Sequence, residues 1–297
     1  MLNSWFNFSF TDSKIPLISG EITSFKVIYE IMELPKFEMS AVLATPIQDI
    51  GPIEFTLTIN NGTLQKVFTC TITKAEGTLI YGYILPKVSL FMRKSRSLTT
   101  TLSSALRTLN IRNKIDKVSI TSVEPFLQLN ETDAECFYRI ANYCGQGKLW
   151  AISYDKVGIF DILPAFGYDF DVNTLDGFVK FDSSNTYTLD ISDKASVNSL
   201  PNLYYKTENI MIPSTCKFSR ECVISYLEKQ KFKQWKNVTL KKKFKGSMNV
   251  DLGTGIKVAG FKNNKFIISK IEIVYTNSAD MYIYEASSYQ GWDAYYG

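Results

Sequence analysis

Residues 53–72, IEFTLTINNGTLQKVFTCTI, constrain the fold of this chain more than any other stretch. Ile53, Phe55, Leu57 and Ile59 alternate with Glu54, Thr56 and Thr58, the period of a strand with one face in a core. Asn60-Asn61-Gly62 supplies a turn, and the chain returns with Phe68, Cys70 and Ile72 on one face. Apolar residues at every second position share one face of a strand but are scattered around a helix. The stretch is therefore expected to be a hairpin. Residues 25–31 and 38–44 read as strands before it. Ala75-Glu76-Gly77 turns the chain into another at 78–85. The first hundred residues are thus expected to form a β-meander, folded as a small barrel or sandwich.

Composition agrees with a strand-rich chain. Aromatic residues make up 14% of its 297 residues, with 20 Phe and 17 Tyr, and such residues suit a pleated surface. That length supports two or three compact units. The formal net charge of +4 is too mild to imply nucleic-acid binding by itself.

The chain has no histidine. This removes the commonest metal ligand, the commonest general base and the Ser-His and Cys-His nucleophile pairs. Catalysis would rest on carboxylates, Lys, Tyr or Cys, so the case for an enzyme weakens. Cys70, Cys136, Cys144, Cys216 and Cys222 are an odd number with no CxxC pair, which fits neither a disulfide framework nor a zinc site. Reduced thiols and synthesis in the cytosol are expected. The amino terminus has none of the parts of a signal peptide, and no window has the length of a membrane span. A soluble chain with no cleaved signal is the expectation.

At Leu98 the period changes. Leu98, Leu102, Ala105, Leu106 and Leu109 fall at helical spacing behind RKSRS, which predicts a helix starting near Ser97. A strand is expected at 117–123. Residues 127–145, LQLNETDAECFYRIANYCG, then set acidic and amide groups ahead of an amphipathic pattern. Thr132 and Glu135 form a capping box, in which hydroxyl and carboxylate each satisfy an orphan amide of the first turn. Asp133 and Glu135 favour the positive helix start. Phe137, Ile140, Ala141 and Cys144 share one face, and Gly145 ends the helix. The acidic cluster reads as a helix start rather than as a catalytic carboxylate pair. A hairpin follows, with residues 154–158 expected at its turn.

Residues 163–210 are rich in turn residues. YDFDVNTLD, residues 168–176, faintly suggests a calcium loop but lacks the Gly and Glu of an EF-hand. Strand patterns resume from Asn209, and Ile271, Ile273 and Tyr275 alternate with Lys270 and Glu272.

The order of strands, helix, QxNETDxxxFxRIAxxxG, hairpin and further strands resembles the central hub proteins of contractile tails. That superfamily includes phage baseplate hubs, phage late-control protein D and the hub portion of the valine-glycine repeat proteins of type VI secretion. The motif positions here are Gln128, Glu131, Thr132, Asp133, Phe137, Arg139, Ala141 and Gly145, with Leu149 and Trp150 beyond. One departure is the aromatic, which stands four residues after Asp133, with Cys136 where the family usually carries it. Thr254-Gly255 stands where the family's last barrel has Pro-Gly.

The resemblance implies a mainly-β (α+β) fold: two β-barrel-like domains with a small inserted α/β domain, assembling as a homotrimeric ring. On that reading residues 1–95 are the first barrel-like domain, 96–163 the α/β domain, 164–286 the second barrel-like domain and 287–297 an aromatic tail. The implied function is a structural hub of a contractile tail baseplate, a conduit joining the tail tube to the central spike. It brings no catalytic residue and no cofactor or metal. Its implied partners are the chain itself, the spike, and tube or other baseplate proteins, with DNA only in transit and no membrane. The implied location is the virion tail baseplate, assembled in the host cytoplasm.

Two features lie outside the motif. Residues 229–245 carry eight lysines interleaved with Phe232, Trp235 and Phe244. A solvated strand pair, a protein interface and a single-stranded nucleic-acid platform all fit that pattern. Lys241, Lys242 and Lys243 are its candidate contacts. The terminal SSYQGWDAYYG offers Trp292, Tyr295 and Tyr296 as docking residues, or else frays. The alternatives to the hub are a β-rich carbohydrate-binding module and a tail-associated glycan hydrolase. The hydrolase needs two carboxylates across a sugar cleft, and Glu131 and Asp133, two apart at a helix start, fit that poorly.

Overall fold

The structure is a computed structural model. It describes residues 7–9, 17–43, 52–60, 65–98, 102–109, 111, 114–115, 126–143, 149–154, 156–160, 166–171, 180–181, 187–190, 205–209, 238–245, 250–259, 265–276 and 280–288. The fold is mainly β. The first part holds β1 (Asn7–Ser9), β2 (Leu17–Glu30), β3 (Lys36–Leu43), β4 (Ile53–Asn60), β5 (Gln65–Glu76) and β6 (Leu79–Tyr83). A mixed part follows with α1 (Lys87–Phe91), β7 (Lys94–Leu98), α2 (Leu102–Thr108), β8 (Lys114–Ile115), β9 (Phe126–Glu131), α3 (Asp133–Tyr143), β10 (Leu149–Ile152) and β11 (Lys156–Phe160). The last part holds β12 (Phe166–Asp171), β13 (Lys180–Phe181), β14 (Tyr187–Asp190), β15 (Tyr205–Asn209), β16 (Val238–Lys245), β17 (Gly255–Ala259), β18 (Lys265–Thr276) and β19 (Asp280–Ser288).

The expected hairpin is β4–β5, with Phe55 opposite Cys70 and Leu57 opposite Phe68. The meander continues β5–β6–β3–β2. Gly77, with φ of 58°, makes the β5–β6 turn with Thr78, one residue later than expected because Glu76 still pairs with Leu79. Gly82 is required by space. A Cβ there would stand 2.0 Å from the Thr71 carbonyl oxygen and 2.7 Å from the Phe37 ring.

The first and last parts of the fold meet at β18. Its Lys270–Thr276 segment pairs antiparallel with residues 24–30 of β2, and its other edge pairs with β19. The sheet runs β1-β4-β5-β6-β3-β2-β18-β19-β16-β13, with β17 on β18 and β12 beside β17. One apolar core serves it. Phe25, Val27 and Tyr29 of β2 join Phe37 and Met39 of β3, Ile271, Ile273 and Tyr275 of β18, and Tyr282 and Tyr284 of β19.

A second core lies under α3. Ala134, Cys136, Phe137, Ile140 and Ala141 meet Leu98, Ala105, Leu109, Leu149 and Trp150 there. The β2–β3 turn plugs into it through Ile31, Met32 and Leu34. Met32 sits at φ 62°, costly for a bulky residue, and its amide donates to the Trp150 carbonyl at 2.8 Å. The Ile31 amide donates to the Ser269 carbonyl at 2.9 Å, so this turn links the α/β unit to β18.

Three expectations need adjustment. The helix expected from Ser97 begins at Leu102, and Lys94–Leu98 is a strand paired with β9. Its lysine and arginine reach the acidic motif from that strand, as shown below. The hairpin turn expected at 154–158 is tighter, because Val157 pairs with Ile152 and Gly158 with Ala151. In YDFDVNTLD, residues 168–171 belong to β12, parallel to β17. The strand expected at 117–123 and the turn at Asn61-Gly62 lie outside the described residues.

Candidate functional site

The motif gathers where β7, β9 and α3 meet. The capping box is formed as expected. The Glu135 amide donates to Thr132 Oγ1 at 3.1 Å, and the Thr132 amide donates to Glu135 Oε2 at 2.8 Å. Asn130, at φ 49°, lies within β9 where its register against β7 shifts, a conformation that Asn tolerates better than most residues. Arg93 secures that irregularity, donating to the Asn130 carbonyl at 2.6 Å and to Glu135 Oε1 at 3.2 Å.

Asp133 is fully buried at the centre. Its Oδ2 accepts from Lys94 Nζ at 2.5 Å, and its Oδ1 accepts from Arg96 at 2.8 Å and from Gln128 Nε2 at 3.0 Å. Arg96 also donates to Gln128 Oε1 at 2.7 Å, which closes a ring of contacts. Burial by itself would raise the Asp133 carboxyl. The hydrogen bonds from Lys94 and Gln128, with the positive charge of Lys94 and Arg96, outweigh it and hold the group below its ordinary value of 3.8. Asp133 is therefore a buried anion at neutral pH.

Arg139 forms the second half of the lock. It grips Glu131 in a fork, with Nε to Oε1 and Nη2 to Oε2 both at 2.8 Å, and reaches the Leu127 carbonyl. Its Nη2 lies 3.7 Å from Cys136 Sγ. Burial pushes the Cys136 thiol up to about 12, against the charge of Arg139. A thiol so held is not a nucleophile at neutral pH. Behind the polar layer, the Trp150 ring meets Phe137 edge-on at 4.9 Å and Tyr138 at 5.2 Å. The Tyr138 hydroxyl donates to Glu33 on the β2–β3 turn at 2.9 Å.

Every carboxylate oxygen of Glu131, Asp133 and Glu135 thus has a partner within the unit. The chemistry of this arrangement is fixation. It ties two strands and a helix into one body and leaves no carboxylate here placed to move a proton. Among the described residues, no group of three or more His, Cys, Asp or Glu is arranged to hold a metal ion.

Of the motif residues, Gln128, Glu131, Thr132, Asp133 and Arg139 form the polar lock, and Phe137 and Ala141 face the core behind it. Gly145 lies outside the described residues. Sequence reasoning missed Lys94 and Arg96, assigned to a helix lead-in. Their spacing of two was the available signal, since it places both on one face of a strand.

Lys241, Lys242 and Lys243 lie in β16, paired with Glu285, Tyr284 and Ile283 of β19. Trp292, Tyr295 and Tyr296 fall outside the described residues.

By sequence the chain matches no family model and no curated protein. By structure it is similar to the 43 kDa tail protein of prophage MuSo2 from Shewanella oneidensis. The two share 10% identity at a TM-score of 0.58, over 97% of this chain and 98% of that one. It is also similar to a tail protein from Neisseria meningitidis MC58, with 10% identity and a TM-score of 0.51 over 96% of each chain. A component of the type VI secretion system of Escherichia coli, described as similar to T4 bacteriophage tail proteins, superposes at a TM-score of 0.49. Identity there is 12%, over 97% of this chain and 78% of that one. That score is too low to establish a common fold. The first two comparisons show that this chain shares its fold with those two tail proteins over nearly the whole of each chain.

Proposed function

We propose that this chain is a structural protein of a phage-type tail, and within it the central hub that joins tube to spike as a homotrimeric ring. The observation that carries the reading is the likeness to two tail proteins, one of them from a prophage, over nearly the whole of each chain. The hub motif, Gln128 to Arg139, supports the narrower assignment, because it forms one connected lock at the junction of β7, β9 and α3. On this reading the chain does mechanical work and catalyses nothing. It uses no cofactor or metal, passes DNA without holding it and has no membrane partner.

The division at 1–95, 96–163, 164–286 and 287–297 belongs to the same proposal. Trp292, Tyr295 and Tyr296 would then dock the spike, and removal of 289–297, which spares β19, would abolish spike binding while leaving the ring intact. The location is the tail baseplate of the particle, assembled in the host cytoplasm. Quantitative mass spectrometry of purified tails tests the assignment. Three copies per tail are expected, and absence of the chain from tails would overturn it.

A further inference from the structure

β16 pairs with β19 from Thr239 opposite Ser287 to Lys245 opposite Met281. On β19, Tyr282, Tyr284 and Ala286 belong to the main core. Antiparallel partners share a face and successive residues change face. Leu240, Lys242 and Phe244 therefore stand on the core face, and Thr239, Lys241, Lys243 and Lys245 on the opposite one. β13 adds Lys180, opposite Thr239, to that same outer face. Lysines and aromatics that alternate in the sequence are largely segregated by the strand.

The outer face can be followed in rows across the sheet. Lys241 neighbours Glu285, then Lys270, then Glu30. The next row runs Lys243, Ile283, Glu272, Ile28 and Lys36. The third runs Lys245, Met281, Val274, Lys26 and Glu38. In these rows β2, β3 and β18 each carry one lysine and one glutamate. Lys26 pairs with Glu38 at 2.5 Å and Lys270 with Glu272 at 2.6 Å. β16 and β13 break the balance: they bring lysines to this face and no acid, against Glu285 on β19.

We infer that the outer face of β16 and β13, with Lys180, Lys241, Lys243 and Lys245, docks the acidic surface of a different protein in the assembly. The inference rests on the tail-protein reading and names the chemistry of one neighbour. A nucleic acid fits less well. These cations are all lysines, without the arginine fork that matches phosphate. Phe244, Tyr282 and Tyr284, which could stack on bases, stand on the other face. Glu285, opposite Lys241 on the adjoining strand, disfavours a polyanion there, whereas a protein can set carboxylates against the lysines one by one. A second copy fits less well too. Among the described residues the exposed acids are Glu54, Glu76, Glu135 and Asp251, on separate elements, and the first three are bonded to the Lys87 amide, to Lys74 and to Arg93.

Lysine acetylation by an amine-reactive ester, read by mass spectrometry on the free full-length chain and on purified tails, tests this. Lys241, Lys243 and Lys245 should react in the free chain and be protected in tails. Carbodiimide should then join at least one of them to an Asp or Glu of another protein. Lys241→Glu with Lys243→Glu should leave the melting temperature unchanged and abolish incorporation into tails. Tails without the chain would overturn the tail reading and this inference together. A chain present in tails, with all three lysines equally reactive in both states, would overturn the docking alone. So would protection that vanishes on nuclease treatment, or crosslinks confined to a second copy.

Discussion

In the sheet core, Phe25 stacks on Phe37 at 5.6 Å and Phe37 meets Phe55 edge-on at 5.7 Å, with Phe68 close behind. Across the β7–β9–α3 junction the corresponding contacts are Asp133 with Lys94 and Arg96, and Glu131 with Arg139. The first region is held by apolar packing, which is nondirectional and forgiving of shape. The second is held by directional bonds in which each group needs its partner. Removing one member of a buried ion pair strands the other charge, whereas an apolar core absorbs a change that keeps its volume. In this fold a broad sheet supplies bulk and a small polar unit fixes one geometry.

Substitutions sharpen this contrast. The largest effect is expected in the sheet, at its one steric exception. Gly82→Val drives a side chain into the Thr71 carbonyl, and should leave no folded protein by near-ultraviolet circular dichroism. Next comes the lock: Asp133→Ala should cost about 2–3 kcal/mol in urea unfolding, because the buried Gln128 and the part-exposed Lys94 and Arg96 lose their hydrogen bonds to the carboxylate. The equally buried Met39→Leu in the sheet core should cost less than about 1.5 kcal/mol. A similar cost for both would break the comparison. Thr132→Ala removes one half of the capping box and should cost about 1 kcal/mol, confined to α3 in amide exchange.

Acid should separate the two regions. The ionised form of Asp133 is favoured in the fold, so its contribution is complete above the ordinary carboxyl value of 3.8 and fades as pH falls below it. In the sheet the displaced acids go the other way. Burial raises the Tyr275 hydroxyl and the Cys70 thiol, and pushes Tyr282 up to about 12. Their neutral forms are favoured in the fold, so that contribution is complete below the ordinary values of 10 for tyrosine and 9 for cysteine and fades as pH rises past them. Amide exchange in acid should therefore open α3 and β9 before β2, β3 and β18. Simultaneous opening would show that the lock is no weaker in acid than the sheet.

Legibility in the sequence follows the same divide. β4 and β5 were readable because Phe55, Leu57, Phe68 and Cys70 alternate, and alternation is the strand's own period. The cap of α3 was readable because Thr132 and Glu135 interact within one turn. What could not be read is long-range. Nothing local says that residues 24–30 pair with 270–276, since that ladder forms between distant segments. Lys94 and Arg96 looked like the lead into a helix, and only their pairing with β9 brings them to Asp133. The lysine run was ambiguous until the β19 register assigned each residue a face.

The central claim is that this chain closes into a threefold hub, and native mass spectrometry of the purified protein tests it most directly. The account predicts a species of about three times 33.8 kDa, seen in electron micrographs as a threefold ring with a central hole. A chain that remains monomeric when mixed with its tube and spike proteins would contradict it.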